Sequence, residues 1–116
     1  MVPFVLTGDP ANIVINDGPY TGAEVELLTD LPLGVTVGIV RAMTAFGQAE
    51  AGSAEETVAL QTAWTLFASD VLVRWNLHDR HGVVPPDASA FGRVSPRFVT
   101  HLLGLWADLM TTPSEV

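Results

Sequence analysis

The stretch from Ser53 to about Trp75 constrains the fold most, because it reads as one helix with apolar side chains on nearly every side. Ser53, followed three positions later by Glu56, is a capping-box pattern that marks its start. Leu60, Trp64, Phe67, Val71 and Trp75 then recur at helical spacing on one face, while Val58, Leu66, Leu72 and Val73 occupy the others. Such a helix needs cover on several sides, so it is expected at the centre of the fold or shared with a partner.

The segments before it change period. Val2 to Leu6 and Ile13 to Ile15 are extended by composition, punctuated by Gly8-Asp9-Pro10 and by Asn16-Asp17-Gly18-Pro19. Ala23 to Leu28 alternates apolar and acidic residues at period two, which puts Glu24 and Glu26 on the wet face of a strand. A sheet this small must pack on helices or on another chain. Thr29 or Asp30 is a candidate cap for a following helix, with Pro32 in its first turn. Residues 33–40 read either way, since Val35, Val37 and Ile39 alternate like a strand. Arg41 to Phe46 is more helical, Gly47 is a candidate stop, and we read the whole segment as a helix.

Beyond Trp75 a polar turn from His78 to Gly82 leads to a short extended piece halted by Pro85 and Pro86. Gly82 supplies a positive φ where that turn needs one. Asp87 to Val94 reads as a loop. Ser95-Pro96 then supplies an N-cap and a first-turn proline for a helix reaching about Met110. That helix carries two apolar stripes: Phe98, Leu102, Leu105 and Leu109, and Val99, Leu103, Trp106 and Met110. One stripe suffices for docking, so the second is a candidate contact surface. The expected architecture is a single α+β domain over residues 1–116. A small N-terminal antiparallel β-hairpin or sheet (1–28) precedes a predominantly α-helical bundle of about three main helices (30–110) and a frayed tail (111–116).

Composition narrows the function. Thirteen acidic residues face five arginines and no lysine, a net charge of −8, so there is no basic cluster to neutralise phosphates. Nucleic acid is not an expected partner. The chain has no cysteine, which removes disulfides and thiolate metal sites. Its start lacks the charge and apolar length of a signal peptide, and no apolar run approaches a membrane span. A cytosolic location is therefore expected. The mean hydropathy of +0.36 implies either an unusually apolar core or surface meant for a partner.

Chemistry is sparse. His78, Asp79 and His81 are the one dense polar cluster, and they could hold a metal or exchange protons. Ordinary turn residues are the better reading. His101 is expected as a surface histidine, and no serine sits in a nucleophile-elbow setting. No catalytic, cofactor-binding or metal-binding residue is assigned. Trp64, Trp75 and Trp106 are expected in the core, with Trp75 sealing the helix end and the Asn76 side chain bonding turn backbone.

Four pieces of the chain together resemble the small tail assembly chaperones of long-tailed bacteriophages. They are the strand region before Tyr20-Thr-Gly-Ala-Glu-Val25, the helix opening at Leu31-Pro-Leu-Gly34, the segment Leu72-Val-Arg-Trp-Asn-Leu77 followed by Asp79, Gly82 and Pro85, and the last helix with Leu102, Leu105 and Trp106. Trp75, Asn76, Leu77, Gly82 and Pro85 form the structural signature. The resemblance implies a non-enzymatic protein without cofactors that binds and solubilises the tape measure protein. It also implies help in recruiting tail tube protein, directly or through a longer frameshifted form. Such a chaperone works in the host cell cytoplasm and is absent from the mature virion; homo-oligomers remain open. Val99, Leu103, Trp106 and Met110 are the expected partner-binding residues. The alternatives are a small structural virion protein, such as a head–tail joining or tail component, an enzyme using His78, Asp79 and His81, and an interaction domain unrelated to phage.

Overall fold

The computed structural model of the chain describes residues 11–16 and 18–111, with Thr111 as backbone only. The expected strand at 2–6 and the tail at 112–116 lie outside the described residues. The elements run β1 (Ala11–Val14), β2 (Glu24–Leu27), α1 (Leu33–Gln48), α2 (Ala54–Asp70), β3 (Leu72–Trp75), β4 (His78–Asp79), β5 (Gly82–Val83) and α3 (Pro96–Thr111). Short 3-10 helices lie at Gly18–Tyr20 and Ala88–Gly92. The fold is α+β, with a small antiparallel sheet and three main helices.

The period-two alternation of β2 is used as expected. Val25 and Leu27 are buried, and Glu24 and Glu26 point to the outer face. β1 pairs with β2 through Ala11↔Leu27 and Ile13↔Val25.

The helix read as continuing to Trp75 ends at Asp70 instead. Leu72–Trp75 is a third strand, antiparallel to β2, in the sheet order β1-β2-β3. Val71, Leu72 and Val73 are apolar, two of them β-branched, and suit a strand as well as a helix. The edge of β2 decides between the two. Leu28 donates its N–H to the Val71 carbonyl (2.8 Å) and Asn76 donates to the Glu24 carbonyl (3.2 Å). The pairing shifts register between Leu27↔Leu72 and Glu26↔Arg74, leaving Val73 as the extra residue of a bulge. The strand folds back along α2, so Trp75 stacks on Trp64 with centroids 5.7 Å apart and 20° between planes. Periodicity thus placed Trp75 beside the aromatic row for the wrong backbone reason.

Residues 33–40 are helical. α1 begins after Pro32, which makes no side-chain cap, so neither Thr29 nor Asp30 serves as one, and it runs through Gly47 to Gln48. In α2 the Ser53 hydroxyl accepts the Glu56 N–H (3.1 Å), while the Glu56 carboxylate accepts from Gly52 rather than from Ser53 (3.2 Å). The capping box is displaced by one residue at its return bond. α1 and α2 lie close together at Gly38, where a Cβ would make an ordinary van der Waals contact with Leu66 Cδ1 at 3.4 Å. In α3, Ser95 Oγ accepts the Phe98 N–H (3.1 Å), as the Ser-Pro start predicts.

The core joins all three helices to the sheet. Trp64, Phe67, Ile39, Val25, Leu27, Val71, Val99, Leu102, Leu103 and Trp106 are its most enclosed side chains. Trp64→Ala removes the largest of them, so a loss of roughly 3–5 kcal/mol is expected in denaturant unfolding. Ser53→Ala deletes only a helix cap, and the same measurement should show about 1 kcal/mol.

Candidate functional site

The signature segment after α2 turns out to be a knot between distant parts of the chain. Asn76 Oδ1 accepts the Glu24 N–H (2.8 Å) and Asn76 Nδ2 donates to the Gly22 carbonyl (3.1 Å). The asparagine therefore satisfies backbone groups, as expected, but those of the chain entering β2 rather than those of its own turn. Trp75 Nε1–H donates to the Val84 carbonyl (2.7 Å), and the Leu77 carbonyl accepts the Val84 N–H (3.0 Å). Gly82 has φ +112° in the β4–β5 turn, a value that favours glycine. The Pro85 carbonyl accepts the Asp87 N–H (2.9 Å) and leads the chain into the following 3-10 helix. Trp75 closes the space between α2, α3 and this hairpin, where the sequence reading had it sealing a helix end.

The polar cluster is also tied into the scaffold. Arg93 Nε donates to Asp79 Oδ2 (2.9 Å), its Nη2 donates to Oδ1 (2.7 Å) and its Nη1 reaches the Val83 carbonyl (3.2 Å). Asp79 Oδ1 also accepts the His81 N–H (2.8 Å). The Arg93 hydrogen bonds hold the Asp79 pKa down to about 2 against partial desolvation, with the His81 N–H helping, and the same pair raises Arg93. His78 Nδ1 bonds the Asn76 carbonyl (2.9 Å). Asp79 thus fastens the β4–β5 hairpin to the segment that precedes α3. Among the described residues, no group of three or more His, Asp or Glu side chains is arranged to hold a metal ion. His101, expected at the surface, is half-buried. Its Nε2 is enclosed without a hydrogen-bond partner among the described residues, and its ring lies 5.9 Å from that of Tyr20.

The stripe expected to meet a partner faces inward. Val99 and Trp106 are 0% exposed and Leu103 is 2%, while Met110 is half-buried and packs against the core. The physical reason is the breadth of the α3 contact. Both of its stripes are consumed by the chain itself, Phe98 and Leu102 along with the second, because α3 packs into the angle between α2, α1 and the aromatic row. Only its C-terminal end leaves apolar surface, at Leu109.

An open apolar surface exists elsewhere, on the α1–α2 hairpin. On one side α3 closes the hairpin, where Met43 and Phe46 of α1 and Leu60 and Ala63 of α2 meet Thr100 and Leu103 around a space of about 50 Å³. The other side holds a groove of about 430 Å³, with Ala42 and Ala45 of α1 facing Ala54, Val58, Ala59 and Thr62 of α2, and Glu55 at one end. Ala54, Val58, Thr62 and Leu66 follow one another at spacing four, which makes them a ridge of the kind that packs between the ridges of another helix. A second, smaller groove of about 280 Å³ lies along Val58, Gln61, Thr62, Thr65 and Leu66. Val58 stands at the crest, 60% exposed. The helical spacing of Val58 and Leu66 off the main apolar face was the sequence signal for this surface.

The Arg93–Asp79 clasp has a pH signature. Folding favours the ionised carboxylate, so its contribution is complete above the unfolded pKa of about 3.9 and is lost as pH falls through about 2. Asp79→Asn should therefore be less stable than the parent at neutral pH, with the gap narrowing between pH 4 and 2 in thermal melts. A gap independent of pH would assign the effect to packing. Compared with protein-family models, with curated proteins and with solved structures, the chain finds no match in any of the three.

Proposed function

We propose that this protein is a non-enzymatic phage tail assembly chaperone that binds the tape measure protein and keeps it soluble while tail tube subunits are recruited. The observation that carries the reading is the open groove between α1 and α2, read together with the chaperone-like signature at Trp75 to Pro85. Tape measure proteins are long and helical, and an amphipathic helix buries its apolar face in a groove between two helices. A net charge of −8 keeps the carrier apart from its own copies while it holds an aggregation-prone client. The polar clusters do not compete with this reading, because Asp79, His78 and Asn76 are already committed to hydrogen bonds within the fold. No described helix is long and apolar enough to cross a membrane. In this reading the protein acts in the host cytoplasm and leaves before the particle is complete.

Co-expression with the product of a neighbouring long helical reading frame tests the proposal. The client should shift from the pellet to the soluble fraction and co-purify, and the chaperone should be absent from purified particles. A client that stays insoluble, with this protein retained in particles, would replace the proposal with a structural virion component.

A further inference from the structure

We infer that the α1–α2 groove receives a basic amphipathic helix from another protein, its seam built of small and medium aliphatic side chains. The inference rests on the chaperone reading only for the owner of that helix; the groove and its charge stand without it. The shape argues for a helix. The hairpin has two flanks, and the chain itself fills one of them with α3, through Leu103 and Thr100. On the opposite flank Ala54, Val58 and Thr62 of the ridge are exposed, and Leu66, half-buried against the core, closes its end. The floor is alanine at 42 and 59, with the exposed Ala45 on the α1 wall, so an incoming helix backbone can come near, and small seam residues fit better than aromatic ones.

The charge argues for a basic occupant. Glu55 lines the groove, and Glu50 is exposed in the α1–α2 turn beside it. Arg41 is the one basic residue anywhere on α1, α2 and the turn between them. A lysine or arginine flanking the seam of the incoming helix therefore meets the Glu50 and Glu55 carboxylates at one end of the groove, which raises the association rate and sets the direction of docking. A second copy of this chain is a poorer occupant. Two hairpins brought face to face would bring Glu50 and Glu55 of each towards a molecule that also carries −8.

The test uses the whole protein and a labelled synthetic helix of about 18 residues, long enough to be helical alone, with an Ala/Leu seam and flanking lysines. Its controls are the same peptide with glutamate in place of lysine and a scrambled lysine peptide of identical composition. The expected result is saturable binding of the lysine peptide, at least about tenfold tighter than either control. Val58→Glu and Ala45→Glu should each weaken it by about tenfold or more, while Val73→Glu, on the sheet bulge, should not. Thermal melts confirm that each variant folds, and Val58→Ser serves if Val58→Glu does not. Equal binding of the scrambled peptide, or unchanged binding by a folded Val58 variant, overturns the inference. So does a dimer in sedimentation that Val58→Glu abolishes, since the groove then belongs to a second copy. Co-expression separates the two readings: a tape measure kept soluble by both the parent and Val58→Glu sinks the groove and leaves the chaperone standing. Saturable, Val58-dependent peptide binding with no client rescue does the reverse.

Discussion

The structure depends on a chain of six aromatic rings in which Trp75 holds the middle. Tyr20 meets Phe98 edge-on, Phe98 meets Trp75, Trp75 stacks on Trp64, Trp64 touches Phe67, and Phe67 meets Trp106. These rings come from the 3-10 turn before β2, from α3, from β3 and from α2, so one contiguous contact joins two of the helices to the sheet. The indole N–H of Trp75 is satisfied by the Val84 carbonyl, which anchors the β4–β5 hairpin to the same chain. Ring pairs of this kind add to the large apolar area that each aromatic side chain removes from water. The indole N–H groups of Trp64 and Trp106 are enclosed without partners among the described residues. That is a cost the surrounding burial must exceed.

From this contact the other features follow. β3 must lie where Trp75 can reach Trp64, and Asn76, the next residue, is then delivered to the start of β2, where it bonds Gly22 and Glu24. The hairpin beyond it is held by Arg93 through Asp79, which positions the segment leading to Ser95 and hence α3. α3 then spends most of its apolar surface on the core, all but the end at Leu109. The far flank of the α1–α2 hairpin, away from α3, keeps an apolar groove uncovered.

Much of the fold was legible in the residues, and the misses share a cause. The alternation of β2, the Ser53 and Ser95 caps and the glycine turn at Gly82 depend on neighbours within a few positions, and they were read correctly. The continuation of α2 to Trp75 failed because the i, i+4 apolar spacing of Phe67, Val71 and Trp75 suits a helix and a returning strand equally. The assignment of Val99, Leu103 and Trp106 to a partner failed because the width of the covered arc on α3 depends on what surrounds it. Val58 and Leu66 are both apolar positions off the main face, yet nothing local says that Val58 stays exposed while Leu66 is half-buried against the core.

The sequence by itself determined the α+β class, the single small core, the polarity of β2, the starts of α2 and α3, the acidic charge and the lack of an obvious catalytic motif. Each is set by side-chain chemistry or by local backbone preference. Only the tertiary structure decided that Leu72–Trp75 is a strand, that Asn76 completes a sheet begun some fifty residues earlier, and that the open apolar face lies between α1 and α2. Those outcomes turn on which hydrogen-bonding edge and which apolar faces meet across the folded chain. A local pattern of polarity leaves that choice degenerate, and the packing resolves it.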